Sequence, residues 1–148
     1  MNRSTRKGLY RTDALRRLLE RIVTGEGYKA EAQINVLLCD DAYIAGLNRA
    51  YRGKRDPTDV LSFEYESIPG TGMERPLLGD IVISLETVER RCGGARAAMR
   101  HEVRLLFCHG VLHLLRQQHD TAAERRAMVG KQARYLGVTP EEAWIVKH

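Results

Sequence analysis

The 148-residue chain mixes two hydrophobic rhythms, a three-and-four spacing and short unbroken apolar runs, without regular alternation between them. From Thr12 to about Thr24, Leu15, Leu18, Leu19, Ile22 and Val23 fall on one helical face. Thr12 is placed to cap that helix, and Gly25 and Gly27 to end it. Gln33–Cys39 (QINVLLC) is short, apolar and partly β-branched, the pattern of a buried strand. Asp40 and Asp41 can cap a second helix, with Ile44, Leu47 and Tyr51 facing inward and Gly53 stopping it. A charged turn, Lys54-Arg55-Asp56-Pro57, leads to a strand over about Asp59–Glu66. After a Pro- and Gly-rich loop, Gly79–Ser84 (GDIVIS) forms another.

The C-terminal half is helical. Ser84 caps a short helix that breaks at Gly93-Gly94, and the longest helical segment runs from about Arg96 to Leu115. Thr121 and Glu124 have the spacing of a capping box for a helix ending at Leu136, before Gly137. Thr139-Pro140-Glu141-Glu142 repeats that logic with Pro at the first helical position, and Trp144 reads as a C-terminal packing anchor. With no repeat, linker or low-complexity tract, the pattern predicts one α+β domain over residues 1–148.

Composition narrows this only a little. A hydrophobic share of 43% beside a charged share of 29% is that of a soluble globular protein. No apolar run approaches the roughly 20 residues of a membrane-spanning helix. The start, MNRSTRKG, is basic without an apolar segment behind it, so a cytoplasmic location is expected. Cys39, Cys92 and Cys108 have no metal or redox spacing and are expected to be small buried or half-buried side chains. The net charge of +5 sits in residues 1–21, which hold seven basic side chains against Asp13 and Glu20, while the remainder balances at 17 and 17. That permits a nucleic-acid partner without demanding one.

The candidate chemistry lies in His109-Gly-Val-Leu-His113-Leu-Leu-Arg-Gln-Gln-His119. Residues four apart on a helix sit one turn apart on the same face, so His109 and His113 can converge on one ion. His119 would point about 120° away on a continued helix, and reaches that ion only if the helix ends near Leu115 and the chain folds back. Three neutral nitrogen ligands would leave a coordination position for water, which an ion makes acidic enough to react near neutral pH. The zinc-protease motif has the same histidine offsets but carries its Glu base directly after the first histidine, where this chain has Gly110.

These residues resemble a known family. His109–Leu114 with His119 is similar to the His-Gly-x-Leu-His-Leu-x-Gly-Tyr-Asp-His signature of the YbeY family of bacterial rRNA maturation factors, single-strand-specific metal-dependent endoribonucleases. Leu47-Asn48, Tyr51-Arg52-Gly53-Lys54 and Pro57–Phe63 form a second match, and Leu78–Ser84 a third, all in the family's order. The resemblance implies an α+β fold in which a small mixed sheet packs on helices, with the histidine motif on a central helix. It implies one zinc ion, or nickel or another divalent ion, on His109, His113 and His119. It makes Arg52 the other critical residue, binding phosphate or stabilising transition-state charge beside His113. Basic residues at the N-terminus and around Lys54 and Arg55 are expected to hold the RNA backbone. The implied partners are single-stranded RNA, notably the 3′ end of small-subunit (16S) rRNA, and the ribosome or its assembly proteins.

The chain departs from the family where Arg116-Gln117-Gln118 replaces Gly-Tyr-Asp, which removes a turn glycine and an acidic neighbour of the third histidine. Only Met1–Tyr10 precedes the first helix where the family commonly has a strand. Glu102 could approach a histidine's outer nitrogen or make an ion pair with Arg96 or another helix. Thr58 and Asp59 read as a strand-opening turn, Asp120 as a substitute acid, and His101 and His148 as surface residues. The rival readings are a zinc hydrolase of peptide or amide bonds, which lacks a base beside His109, and a non-catalytic ribosome-assembly factor with a structural metal.

Overall fold

A computed structural model describes residues 12–27, 33–52, 60–64, 77–115 and 121–144. In chain order these form α1 (Thr12–Gly25), β1 (Gln33–Cys39), α2 (Asp41–Arg52), β2 (Val60–Glu64), β3 (Leu77–Ser84), α3 (Leu85–Arg91), α4 (Arg96–Leu114) and α5 (Ala122–Leu136). The architecture is the expected α+β one. Its small mixed sheet has the order β1-β3-β2, with β1 parallel and β2 antiparallel to the central β3.

A central strand must be apolar on both faces, and Ile81, Val82 and Ile83 of β3 are all buried. Ile81 and Ile83 join the main core with Leu38, Val60 and the inner faces of α1, α3, α4 and α5. Val82 points the other way, into a smaller cluster with Cys39 and Ile44 that seats α2. The sheet therefore lies between α2 and the remaining helices. Helix α4 is the innermost of these: Leu105 to Leu112 are buried without a break, as expected of a helix covered on all sides.

Most end signals work as the sequence predicts. Asp40 accepts from the Tyr43 amide at 2.9 Å and caps α2. Ser84 caps α3, and Thr121 and Glu124 close a capping box on α5 at 3.0 and 3.1 Å. Gly137 ends α5 with φ +69°, a left-handed conformation that costs a side-chain-bearing residue roughly 1 kcal/mol. Asp41 links α2 to α3: its carboxylate accepts from Ser84 and Thr87 at 2.6 Å each and pairs with Arg90, while its amide donates to Glu86 at 2.8 Å.

Two expectations fail at the C-terminus. Thr139 and Glu142 do make their capping bonds, at 3.2 and 3.3 Å, but they close a single turn and no helix follows among the described residues. One turn fixes several dihedrals for few hydrogen bonds, and capping alone does not overcome that cost. Trp144 is 49% exposed and is not the anchor; Ala143, fully buried, takes that place. His101 is half-buried, and its Nε2 donates to the Glu142 carbonyl at 2.8 Å. The cysteines are as expected, two buried and one half-buried, all free, and burial pushes the thiols of Cys39 and Cys108 up to about 12.

Helices α1 and α5 meet at an ionic knot. The Glu26 carboxylate, 5% exposed, accepts from Lys131 at 2.6 Å and from the Tyr135 hydroxyl, with Arg134 at 3.6 Å. Burial opposes its charge, but the bonds from Lys131 and Tyr135 and the charges of Lys131 and Arg134 prevail and hold its pKa below the ordinary 4.5. A depressed carboxylate pKa stabilises the fold above the unfolded-state value, and that stability is lost as pH falls through the folded value. We expect Glu26→Gln to lower unfolding free energy by about 1.5–3 kcal/mol at pH 7, the range for a hydrogen bond to a charged group. The deficit should shrink below pH 4.5. Urea titrations of both proteins across pH 3–7 check this, and a deficit constant with pH would refute the charged role.

Candidate active site on helix α4

His109 and His113 lie on consecutive turns of α4, where side chains four apart share a face at about 5–6 Å between Cβ atoms. Their environments differ. His109 is 9% exposed, whereas His113, on the last turn, faces solvent. The Nδ1 of His109 lies 2.9 Å from Oε1 of Gln132 on α5, and the Gln132 amide nitrogen donates to the Ala143 carbonyl at 2.8 Å. Gln132 is 1% exposed and was missed in the sequence. Its signal was there: it falls midway between Met128 and Leu136, four residues from each, a polar side chain in the apolar seam of α5.

Gly110 explains how α4 meets the sheet. A Cβ added there would lie 3.0 Å from Ile81 Cδ1 and 3.2 Å from Ser62 Oγ. Ile81 and Ser62 are register partners across β3 and β2, so the helix rests on that cross-strand pair at its one residue without a side chain. The three sequence motifs thus meet beside His109: β2 comes from the second, β3 from the third, and α4 carries the first. The geometry also removes the protease comparison, because position 110 faces the sheet and a carboxylate there would be buried between β2 and β3.

Glu102 is not at the histidines; it pairs with Arg91 of α3 at 3.0 Å, the interhelical alternative. Arg52 is the last residue of α2; its side chain lies outside the described residues. His119, Lys54, Arg55, Thr58, Asp59, Asp120 and His148 also lie outside them, as does the segment Met1–Tyr10. Among the described residues no group of three His, Cys, Asp or Glu side chains is gathered for a metal. The donors that are described, two imidazoles one turn apart with the outer nitrogen of the first hydrogen-bonded, are of the type zinc takes.

Fold and site together define a small α+β protein with a histidine pair on its central helix. The family model described as Endoribonuclease YbeY matches residues 2–139. Similar proteins of that name include one from Pelotomaculum thermopropionicum, 45% identical over 129 residues that cover 85% of this chain and 84% of that protein. Another, from Moorella thermoacetica, is 41% identical over 131 residues, covering 82% of each. A solution structure of a Thermotoga maritima protein superposes with a TM-score of 0.53 at 28% identity, covering 97% of this chain and 89% of that one. The chain belongs to the endoribonuclease YbeY family and is a nuclease, a hydrolase of RNA phosphodiester bonds.

Installing the protease carboxylate should therefore damage the fold and create no new activity. Gly110→Glu is expected to cost at least the roughly 1–3 kcal/mol of core overpacking, with a further penalty for the buried charge. Equilibrium urea unfolding measures this; wild-type stability in the variant would show that α4 does not sit on Ser62 and Ile81 as described.

Proposed function

We propose that this chain, as one domain, is a metal-dependent endoribonuclease specific for single-stranded RNA, acting in the cytoplasm on the 3′ end of 16S rRNA and in ribosome quality control. The observation that carries the reading is the α4 histidine pair with Gln132 on the outer nitrogen of His109. His109, His113 and His119 would hold one divalent ion, zinc or alternatively nickel. When bound, such an ion lowers the pKa of water and offsets charge on a phosphate. His113, at the exposed end of the pair, is open to solvent. Arg52 would bind the scissile phosphate and stabilise the charge that develops on it, and Lys54 and Arg55 would hold the neighbouring backbone. RNA and the ribosome or its assembly proteins are the partners of this reading. No described helix is long and apolar enough to cross a membrane.

The test pairs metal analysis with cleavage of a single-stranded RNA. Wild type should hold about one ion per chain. His113→Ala should lose both ion and cleavage. Arg52→Ala should keep the ion while kcat falls by about 10²–10³, as when one charge-stabilising group is removed. Lys54→Ala and Arg55→Ala should each reduce the slope of log affinity against log salt by about 0.7. A wild type without stoichiometric metal would sink the proposal. Metal without His113- and Arg52-dependent cleavage would leave an assembly factor. A 2′,3′-cyclic phosphate at the product ends would identify the neighbouring 2′-hydroxyl as the nucleophile.

A further inference from the structure

We propose that Gln132 is the positioning residue that fixes His109 in its Nδ1–H tautomer and so presents Nε2 to the metal, an inference that rests on the metal reading above. A backbone carbonyl only accepts hydrogen bonds, so the Gln132 atom 2.8 Å from the Ala143 oxygen is the amide nitrogen. The Gln132 oxygen is then the atom 2.9 Å from His109 Nδ1, and an oxygen acceptor requires a proton on that nitrogen. A neutral imidazole carries one N–H, which leaves the lone pair on Nε2, the form a metal ligand needs.

The chain Ala143 carbonyl, Gln132 amide, His109 ring runs through the core, where all three residues are buried. Each polar group in it is costly to bury unless bonded, so the amide cannot turn over without breaking both contacts. An amide also orients the ring without adding the negative charge a carboxylate would bring. Helix α5 and the turn at Ala143 thereby control a ligand on α4. This gives a role to Thr139–Ala143, whose capping bonds close a turn that carries no helix among the described residues.

Two substitutions separate positioning from packing. Gln132→Met and Gln132→Glu both lose the donor to Ala143, but only Glu retains an acceptor for Nδ1–H. Nitrogen NMR of ¹⁵N-histidine-labelled full-length protein without metal, above the pH range in which imidazole protonates, reads the tautomer directly. Chelator competition reads zinc affinity separately. In wild type, His109 should show an N–H resonance at Nδ1 and an unprotonated Nε2. Gln132→Glu should keep that pattern. Gln132→Met should shift toward the Nε2–H form and bind zinc about 10–100-fold more weakly, the usual effect of losing a ligand's outer hydrogen bond.

Wild-type His109 with its proton on Nε2 would overturn the proposal without any variant being needed. So would a Gln132→Met protein with unchanged tautomer and zinc affinity. A wild type with the Nδ1–H tautomer that binds no zinc would overturn the metal reading, and with it the presentation of Nε2. The two failures are thus told apart.

Discussion

The close seating of α4 on the Ser62–Ile81 pair is the constraint on which the rest of the structure depends. Gly110 lets the helix descend until its backbone nearly touches the sheet, and the residues on either side are carried with it. His109 is drawn into the interior, within reach of α5. His113, one turn on, emerges at the surface. A Cβ at position 110 would press on the Ile81 and Ser62 side chains, and these or the helix would have to give by some tenths of an ångström. One contact therefore sets the depth of the helix and the unequal exposure of its two histidines.

That depth makes α5 part of the site although it supplies no proposed ligand. Its N-terminus is fixed by the Thr121–Glu124 box. Its middle reaches across to α1 through Lys131 and Tyr135 on Glu26, and Arg21 of α1 donates back to the Tyr135 carbonyl at 2.6 Å. Gln132 lies between those two tethers. An amide that must meet His109 and Ala143 at once tolerates little sliding of its helix, because hydrogen bonds weaken steeply with misalignment. The ionic knot at Glu26 and the amide bridge at Gln132 thus hold the same helix in the same register.

The backbone was largely legible in the sequence, for reasons that can be named. The limits of β1 are legible because its apolar run opens after the polar Gln33 and stops at Asp40-Asp41, and those of α5 because both of its ends carry side-chain or glycine stops. The failures were also physical. Thr139-Pro140-Glu141-Glu142 carries a helix-start signal, but a cap satisfies only the first amides, and nucleation needs further turns. Trp144 has the bulk of an anchor, but the buried position goes to the small Ala143, which fits beside Gln132. β3 begins two residues before its expected start, since strand ends are set by pairing with β1 that a single segment does not announce.

The site was legible unevenly because its parts are encoded differently. A helical pair four apart is local information, and so is the family signature around it. The partner of His109 is not local: Gln132 lies 23 positions on, and nothing in the spacing says which polar residue reaches which nitrogen. Glu102, acidic and seven residues from His109 on the same helix, has the interhelical ion pair as its other option. Side chains on a helix lean toward its N-terminus, however, and from there Glu102 meets Arg91 on α3. The acceptor had to come from a facing element. A polar side chain four residues from apolar neighbours on both sides marks such an element, since burying it requires waiting partners. For Gln132 those partners are one carbonyl and one imidazole, and that combination joins a packing helix to the candidate site.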